Sequence, residues 1–254
     1  MRLNILKSLF VASALILSAL LPLSTAAETE TGATPQSAIF AIPAVWPWGY
    51  RDRHGEPAGS LVQLAHRLVA IADVPIDYEL RPHRRAVAEI VQGRSDFVVL
   101  FENPAIDSAA FDLGVVVQTE VLLTARADSE TELSMEGLAG QTVAFVSGTY
   151  YGEVFRQADK IEKVPVRDVF QALEMLKRGR VSAVLCSDQA LYHTLKSLDL
   201  PYQNFRMNVF RKGQEGHLYM SRKAMHPELR EPLADALEQL RQTGELESIF
   251  HLPE

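Results

Sequence analysis

Short apolar runs and helical apolar stripes alternate in the first part of the chain. Runs of strand length occupy residues 38–45, 76–80 and 97–101. Between them, apolar side chains recur at helical spacing after Ser60, a predicted N-cap, and again over residues 84–92. This strand–helix–strand order predicts βαβ units.

The same order returns in the second part of the chain. Strands are predicted at residues 142–146, 163–166 and 181–186. One helix is predicted from about Gly152, and another follows Asp168, a predicted N-cap. The repetition predicts two lobes, each with a sheet flanked by helices.

Two extended segments connect the predicted lobes. Residues 115–126 and 216–222 have the pattern of strands, and the second is followed by a helix that Pro227 opens. A chain that passes from lobe 1 to lobe 2 and then back again has its last helix in lobe 1. We therefore predict lobe 1 from residues 38–122 and 216–254, and lobe 2 from residues 123–215.

The first 26 residues have the features of an export signal. Two basic side chains precede an apolar run at residues 9–23, which is short for a membrane span, and small side chains surround a predicted cleavage after Ala26. No cysteine lies near that point, so we expect no lipid anchor. The polar residues 27–37 are predicted to be a disordered leader. The mature chain is expected to be soluble and periplasmic, with no direct insertion into the membrane.

Composition matters mainly for what it excludes. A chain of 254 residues with 47% hydrophobic residues suits a core-forming protein. Its net charge of −7 argues against nucleic-acid binding. The seven histidines show no pair at metal-ligand spacing, and the single cysteine, Cys186, lies in an apolar run, so no metal site is predicted. No nucleotide-binding loop or nucleophile motif is present, and no cofactor is expected.

Five segments in order resemble the family 3 extracellular solute-binding proteins, which serve ABC importers of polar amino acids. They are PWGYRDRHGEPAGSLVQLAHRLVAIA, AVAEIVQGRSDFVV, MEGLAGQTVAFVSGTYYGEVF, ALEMLKRGRVSAVLCSD and PELREPLADALEQLRQTGELESIF. PHRRA, with His83 where tryptophan is usual, resembles the Pro-x-x-Arg-Ala variant of a divergent subgroup. The resemblance implies an α/β, two-lobed periplasmic-binding-protein-like fold (type II), with a ligand cleft between lobes that two hinge crossings close.

The chain lacks both residues with which the family usually binds an amino acid, one for its carboxylate and one for its ammonium group. Ile106 stands where the family has an arginine for the ligand carboxylate, and it cannot form the bidentate pair. Ser187 stands where the family has an aspartate for the ligand ammonium, and Asp188 follows one residue later. A replacement cation is then needed for an acidic ligand; Arg84 and Arg85 are both candidates, and we favour Arg85.

The predicted ligand-binding residues lie in loops and at strand ends. The aromatic residues of the first loop could form a pocket wall, and a glycine turn after the strand at 142–146 could offer backbone N–H groups to a carboxylate. Glu102 and Asp188 could each contact a cationic group of the ligand. The predicted set is Trp48, Tyr50, Arg85, Glu102, Ser147, Thr149, Tyr150 and Asp188.

The leading prediction is a monomeric periplasmic solute-binding protein, not an enzyme. It would capture a small polar solute, an amino acid or a related carboxylate or amine, for an ABC permease of the inner membrane. One alternative is an enzyme on the same fold, such as a dehydratase of a small carboxylic acid that uses Glu102 or Asp188 as acid or base. Another is a ligand-sensing adaptor for a membrane signalling partner.

Overall fold

The described part of the chain, residues 37–252 of a computed structural model, contains ten strands, eight α-helices and two 3₁₀ helices, Tyr202–Asn204 and Pro227–Leu229. The predicted signal peptide at 1–26, and the predicted leader apart from Ser37, lie outside it. The strands are β1 (Ala38–Pro43), β2 (Tyr50–Arg51), β3 (Pro57–Ala58), β4 (Ile76–Arg81), β5 (Phe97–Phe101), β6 (Ala110–Arg126), β7 (Thr142–Val146), β8 (Glu162–Val166), β9 (Ala183–Ser187) and β10 (Phe205–Ser221). The helices are α1 (Ser60–Ala72), α2 (His83–Gln92), α3 (Pro104–Asp107), α4 (Glu153–Arg156), α5 (Val169–Lys177), α6 (Asp188–Ser197), α7 (Arg230–Gln242) and α8 (Glu245–Ile249).

Eight of the strands form one sheet in the order β4-β1-β5-β10-β6-β9-β7-β8. At one end, β1 pairs in parallel with β4 and β5; at the other, β7 pairs in parallel with β8 and β9. Between them, β10 runs antiparallel to both β5 and β6. We call β1, β4 and β5 with α1, α2, α7 and α8 the first half, and β7–β9 with α4–α6 the second half.

The two 17-residue strands β6 and β10 are shared by both halves. Their predicted counterparts, 115–126 and 216–222, were too short. Residues 205–215 are largely exposed or half-buried and carry few apolar residues in sequence, so periodicity does not reveal them. Backbone pairing with β6 holds them extended, with register shifts between Arg211 and Gln214 and again after Gly216.

Each half packs an apolar core on both faces of its strands. In the first half, one core includes Phe40, Leu64 and Leu237, and the opposite face buries Ile90 and Ile106. In the second half, the two cores are separate clusters that share no buried residue. Parallel strands covered on both faces explain why the strand segments are near-continuous apolar runs.

The side chain of Asp96 links three segments of the first half through hydrogen bonds. Its buried carboxylate accepts hydrogen bonds from the backbone N–H of Ile39 at 2.8 Å, of Met225 at 2.8 Å and of His226 at 3.2 Å. These donors begin β1 and follow β10. A single carboxylate therefore satisfies three backbone donors at that end of the sheet.

One predicted N-cap was wrong, and one helix was not predicted. Ser60 is the first residue of α1, not its N-cap; Gly59 is the cap, with φ of 117°. The helix 188–197 was not predicted, and it begins at Asp188 after the cap Ser187, whose hydroxyl accepts from Ala190 N–H at 3.3 Å. Asp168 is the N-cap of α5 as predicted, accepting from Gln171 N–H.

Among residues 37–252, no helix is both long and apolar enough to cross a membrane.

Candidate functional site

A cavity of about 60 Å³ lies between the two halves. Most of its lining is apolar or aromatic, and among its lining residues, all within the described range, none carries a formal charge. The lining comprises Pro43, Val45, Trp48, Leu61, His83, Val99, Leu100, Phe101, Val117, Val146, Thr149, Tyr151, Cys186, Ser187, Ala190, Gln214 and Gly216. An apolar cavity with a few polar groups is the usual form of a small-molecule site.

The start of α1 fixes the aromatic wall of the cavity. Trp48 C=O accepts from Leu61 N–H at 2.8 Å, so the first turn of α1 is capped by the loop backbone instead of a side chain. A Cβ on Gly59 would lie 2.5 Å from Trp48 O, which only glycine avoids. The Trp48 ring then packs on Phe101 and Phe250, with centroid distances of 5.8 and 5.9 Å.

The two halves are in contact at two places. Gly148, in the turn after β7, has φ of 91°, and a Cβ there would lie 3.1 Å from both His83 Nδ1 and Arg84 Cγ. The Trp46 ring, from the first loop, lies 5.7 Å from the Phe170 ring of α5. The structure therefore has its halves in contact with each other.

Burial keeps the titratable groups of the cavity neutral. It lowers the pKa of His83, so the imidazole is uncharged at neutral pH. It raises the pKa of the Cys186 thiol to about 12 and raises that of Tyr151, whose hydroxyl is hydrogen-bonded to Thr149. His83 Nδ1 is buried and has no hydrogen-bond partner among the described residues. A ligand that donates or accepts one hydrogen bond would satisfy that nitrogen.

Two of the predicted ligand residues, Trp48 and Thr149, line this cavity. Ser147 lies beside it, and its N–H donates to Val166 O at 2.9 Å. Thr149 N–H donates to Val146 O at 3.3 Å. Two N–H groups of the glycine turn are therefore used within the protein, and α4 begins only at Glu153.

Arg85 and Tyr50 lie outside the cavity lining. Arg85 Nε donates to Glu89 Oε1 at 2.6 Å, and Arg81 Nε donates to the other oxygen at 3.0 Å. Burial would raise the pKa of Glu89, but the two arginines outweigh it and hold that pKa below its usual value. The Tyr50 ring packs on Trp46, at 4.5 Å between centroids.

The remaining predicted residues lie elsewhere. Glu102 and Tyr150 line a second, polar pocket, where Glu102 pairs with Arg211 at 2.9 Å and Tyr150 O–H donates to Glu153 at 2.8 Å. Asp188 is in the first turn of α6, and its carboxylate accepts from Gln189 N–H at 2.6 Å. Burial raises the Asp188 pKa, and it lines neither pocket.

His83, Ser187 and Gln214 supply the polar groups that the predicted set left out. The sequence carried a signal for two of them. In the resemblance described above, Ser187 stands where an aspartate is usual, and His83 stands where a tryptophan is usual. Gln214 lies in the part of β10 that periodicity did not predict, and its Nε2 donates to Tyr150 O at 3.0 Å.

Replacing Gly148 with alanine is expected to lower the free energy of unfolding by about 2–3 kcal/mol. About 1–2 kcal/mol comes from the left-handed backbone, and about 1 kcal/mol from the contact with His83 and Arg84. Gly140→Ala is the matched control, since Gly140 has φ of 77° and open space around it. Denaturant titration measures both, and small-angle scattering should show a larger radius of gyration for Gly148→Ala alone. Equal losses with unchanged scattering would contradict the proposed contact.

No family model matches the chain, and no curated protein matches it. Solved structures do. The chain resembles a mutant of ArgBP from T. maritima (TM-score 0.69, 18% identity, covering 84% of this chain and 92% of that one). It also resembles the substrate-binding protein of an amino acid ABC transporter (TM-score 0.69, 14% identity, 84% and 96%). A histidine kinase sensor domain with similarity to periplasmic binding proteins matches with TM-score 0.73 and 19% identity, over 84% and 94%. The chain therefore has the two-lobed, periplasmic-binding-protein-like α/β fold.

Proposed function

We propose that the chain is a solute-binding protein of the periplasm that holds one small, uncharged solute in the cavity between its halves. The uncharged cavity carries this proposal. An amino-acid zwitterion buried there would bring two formal charges to a site that offers none in return, which is strongly unfavourable. The solute class thus differs from the amino acids, carboxylates or amines that the sequence predicts.

The lining suggests what such a solute contains. Trp48, Phe101 and Tyr151 offer aromatic surface for a ring or an aliphatic body. His83 Nδ1, the Ser187 hydroxyl and Gln214 offer hydrogen bonds to a hydroxyl, carbonyl or amide. Small aromatic alcohols, amides and lactones combine these features.

Transport is the role we propose for this binding. The solute would be delivered to an ABC permease after closure of the halves, as the family resemblance implies. Sensing is the second candidate, and the likeness to a histidine kinase sensor domain favours it. Catalysis is less well supported, since neither Glu102 nor Asp188, the two candidate acids, lines the cavity.

A thermal-shift panel tests the solute class. Neutral aromatic and aliphatic solutes are expected to raise the melting temperature, whereas arginine, glutamate and simple carboxylates are not. A solute at 100 times its Kd stabilises by about 2.7 kcal/mol. A response confined to charged solutes would overturn the proposed solute class.

His83→Phe is the matched variant for that panel. It keeps a ring and removes Nδ1, which has no partner within the described protein, so the melting temperature without solute should change little. Affinity for a responding solute should fall at least about tenfold, the equivalent of about 1.4 kcal/mol. Undiminished affinity would place the solute elsewhere.

To separate transport from sensing, the solute-loaded protein is added to the candidate permease in vesicles. Solute uptake that requires the protein supports transport. Signalling output without uptake supports sensing.

A further inference from the structure

We propose that Glu102, Glu215 and His217 bind a divalent transition-metal ion at the second, polar pocket. Their candidate ligand atoms all lie within 4.8 Å of one another. Imidazole and carboxylate together suit Zn²⁺ and its first-row neighbours, with water completing the coordination. The sequence predicted no metal site because its histidines are far apart; here one histidine of β10 meets Glu215 of the same strand and Glu102, which follows β5.

His217 is the residue that points to a ligand. It is 9% exposed, and both ring nitrogens are buried without a hydrogen-bond partner among the described residues. Nε2 lies 3.4 Å from Glu215 Oε2, and Nδ1 lies 2.9 Å from Asp112 Oδ2, but neither contact has the alignment of a hydrogen bond. A buried imidazole with two unused nitrogens is costly unless a ligand engages it.

The surrounding contacts suit ligation through Nε2. Metal-bound histidines donate the other N–H to a carboxylate, and Asp112 Oδ2, 2.9 Å from Nδ1, is near enough to accept it once the ion orients the ring. Gln118 Nε2 donates to Glu215 Oε1 at 2.7 Å, which leaves Oε2 directed at His217. Both supports are of the kind that orients metal ligands.

Charge supports the same assignment. Glu102 and Glu215 are cross-strand neighbours: Glu102 N–H donates to Glu215 O at 3.2 Å, and the adjacent pair is Phe101 with Gly216. Like charges directly opposite in a sheet repel, and a cation between them removes the repulsion. Arg211 pairs with Glu102 at 2.9 Å and offsets part of this negative charge. When an ion binds, Glu102 must give up part of its contact with Arg211.

Titration calorimetry of EDTA-stripped protein with ZnCl₂ tests the site. We expect one Zn²⁺ per chain and a higher melting temperature with Zn²⁺ bound. His217→Gln should abolish this binding, and Glu102→Gln and Glu215→Gln should each weaken it at least about tenfold. His251→Gln, a substitution of an exposed histidine, should bind Zn²⁺ like the unaltered protein.

Folding of each variant is checked by circular dichroism in EDTA. If His217→Gln fails to fold, Glu102→Gln and Glu215→Gln still test the site. Both are expected to fold, because the Glu102 and Glu215 side chains are 48% and 31% exposed. Co²⁺ absorption in the visible range provides an independent spectroscopic signature. Absence of stoichiometric Zn²⁺ binding would overturn the site. Zn²⁺ binding that is unchanged in both Glu102→Gln and Glu215→Gln would overturn it as well.

Discussion

Asp96→Ala is expected to lower the free energy of unfolding by about 3–4 kcal/mol. The substitution leaves the N–H groups of Ile39, Met225 and His226 without their acceptor at a buried position. Hydrogen bonds to charged groups contribute about 1.5–3 kcal/mol each, and the loss is less than their sum because water partly replaces the carboxylate. Urea denaturation with an unchanged m-value would measure the loss.

Two further variants sharpen that experiment. Asp96→Asn keeps one carbonyl oxygen and should lose about half as much. Asp77→Ala removes an exposed carboxylate from β4 and should change stability by less than about 0.5 kcal/mol. A loss below about 1 kcal/mol for Asp96→Ala would show that the carboxylate does not hold these three segments.

Trp48→Ala is expected to lower the free energy of unfolding by about 3–5 kcal/mol and to weaken solute binding at least tenfold. The ring is 7% exposed and packs on Phe101 and Phe250, so its removal leaves a void that joins the cavity. The solute would also lose its main aromatic surface. Denaturation and solute titration measure the two effects.

Trp46→Ala is the comparison. Trp46 is half-buried, packs on Tyr50 and Phe170, and does not line the cavity, so a smaller loss of stability is expected. The chain has two tryptophans, and this variant leaves Trp48 as the only one. Its fluorescence then reports on the cavity directly. If the emission of Trp48 does not change when a solute binds, Trp48 does not form a wall of the solute site.

Buried strands were the most predictable part of the fold. The predicted bounds of β5 and β7 match the observed ones, because each is a short apolar run between polar turns. The helix α6 was missed because its buried face includes two polar residues. Gln189 donates to Phe250 O, and Thr194 donates to Ala190 O, so both are satisfied inside the protein. A pattern of apolar positions cannot show polar residues that are buried with partners.

The candidate site was less predictable than the fold. Local motifs led to Trp48 and Thr149, but residue type alone did not show that Arg85 would be engaged by Glu89. Ile106, which the resemblance places at an arginine position, is fully buried in the same apolar cluster as Ile90. Which side chains reach a cavity depends on how two distant halves meet, and that information is absent from local spacing.

Alternation along β10 has a consequence for how this protein can change. Gln214 and Gly216 line the apolar cavity, while Glu215 and His217 belong to the proposed metal cluster. The proposed solute site and the proposed metal site could therefore each be altered by substitution without changing the other. A one-residue slip of Gly216–Met220 against β5 would instead exchange the two sets between faces. The pairing register of β10 therefore decides which of its side chains face the cavity and which face the cluster.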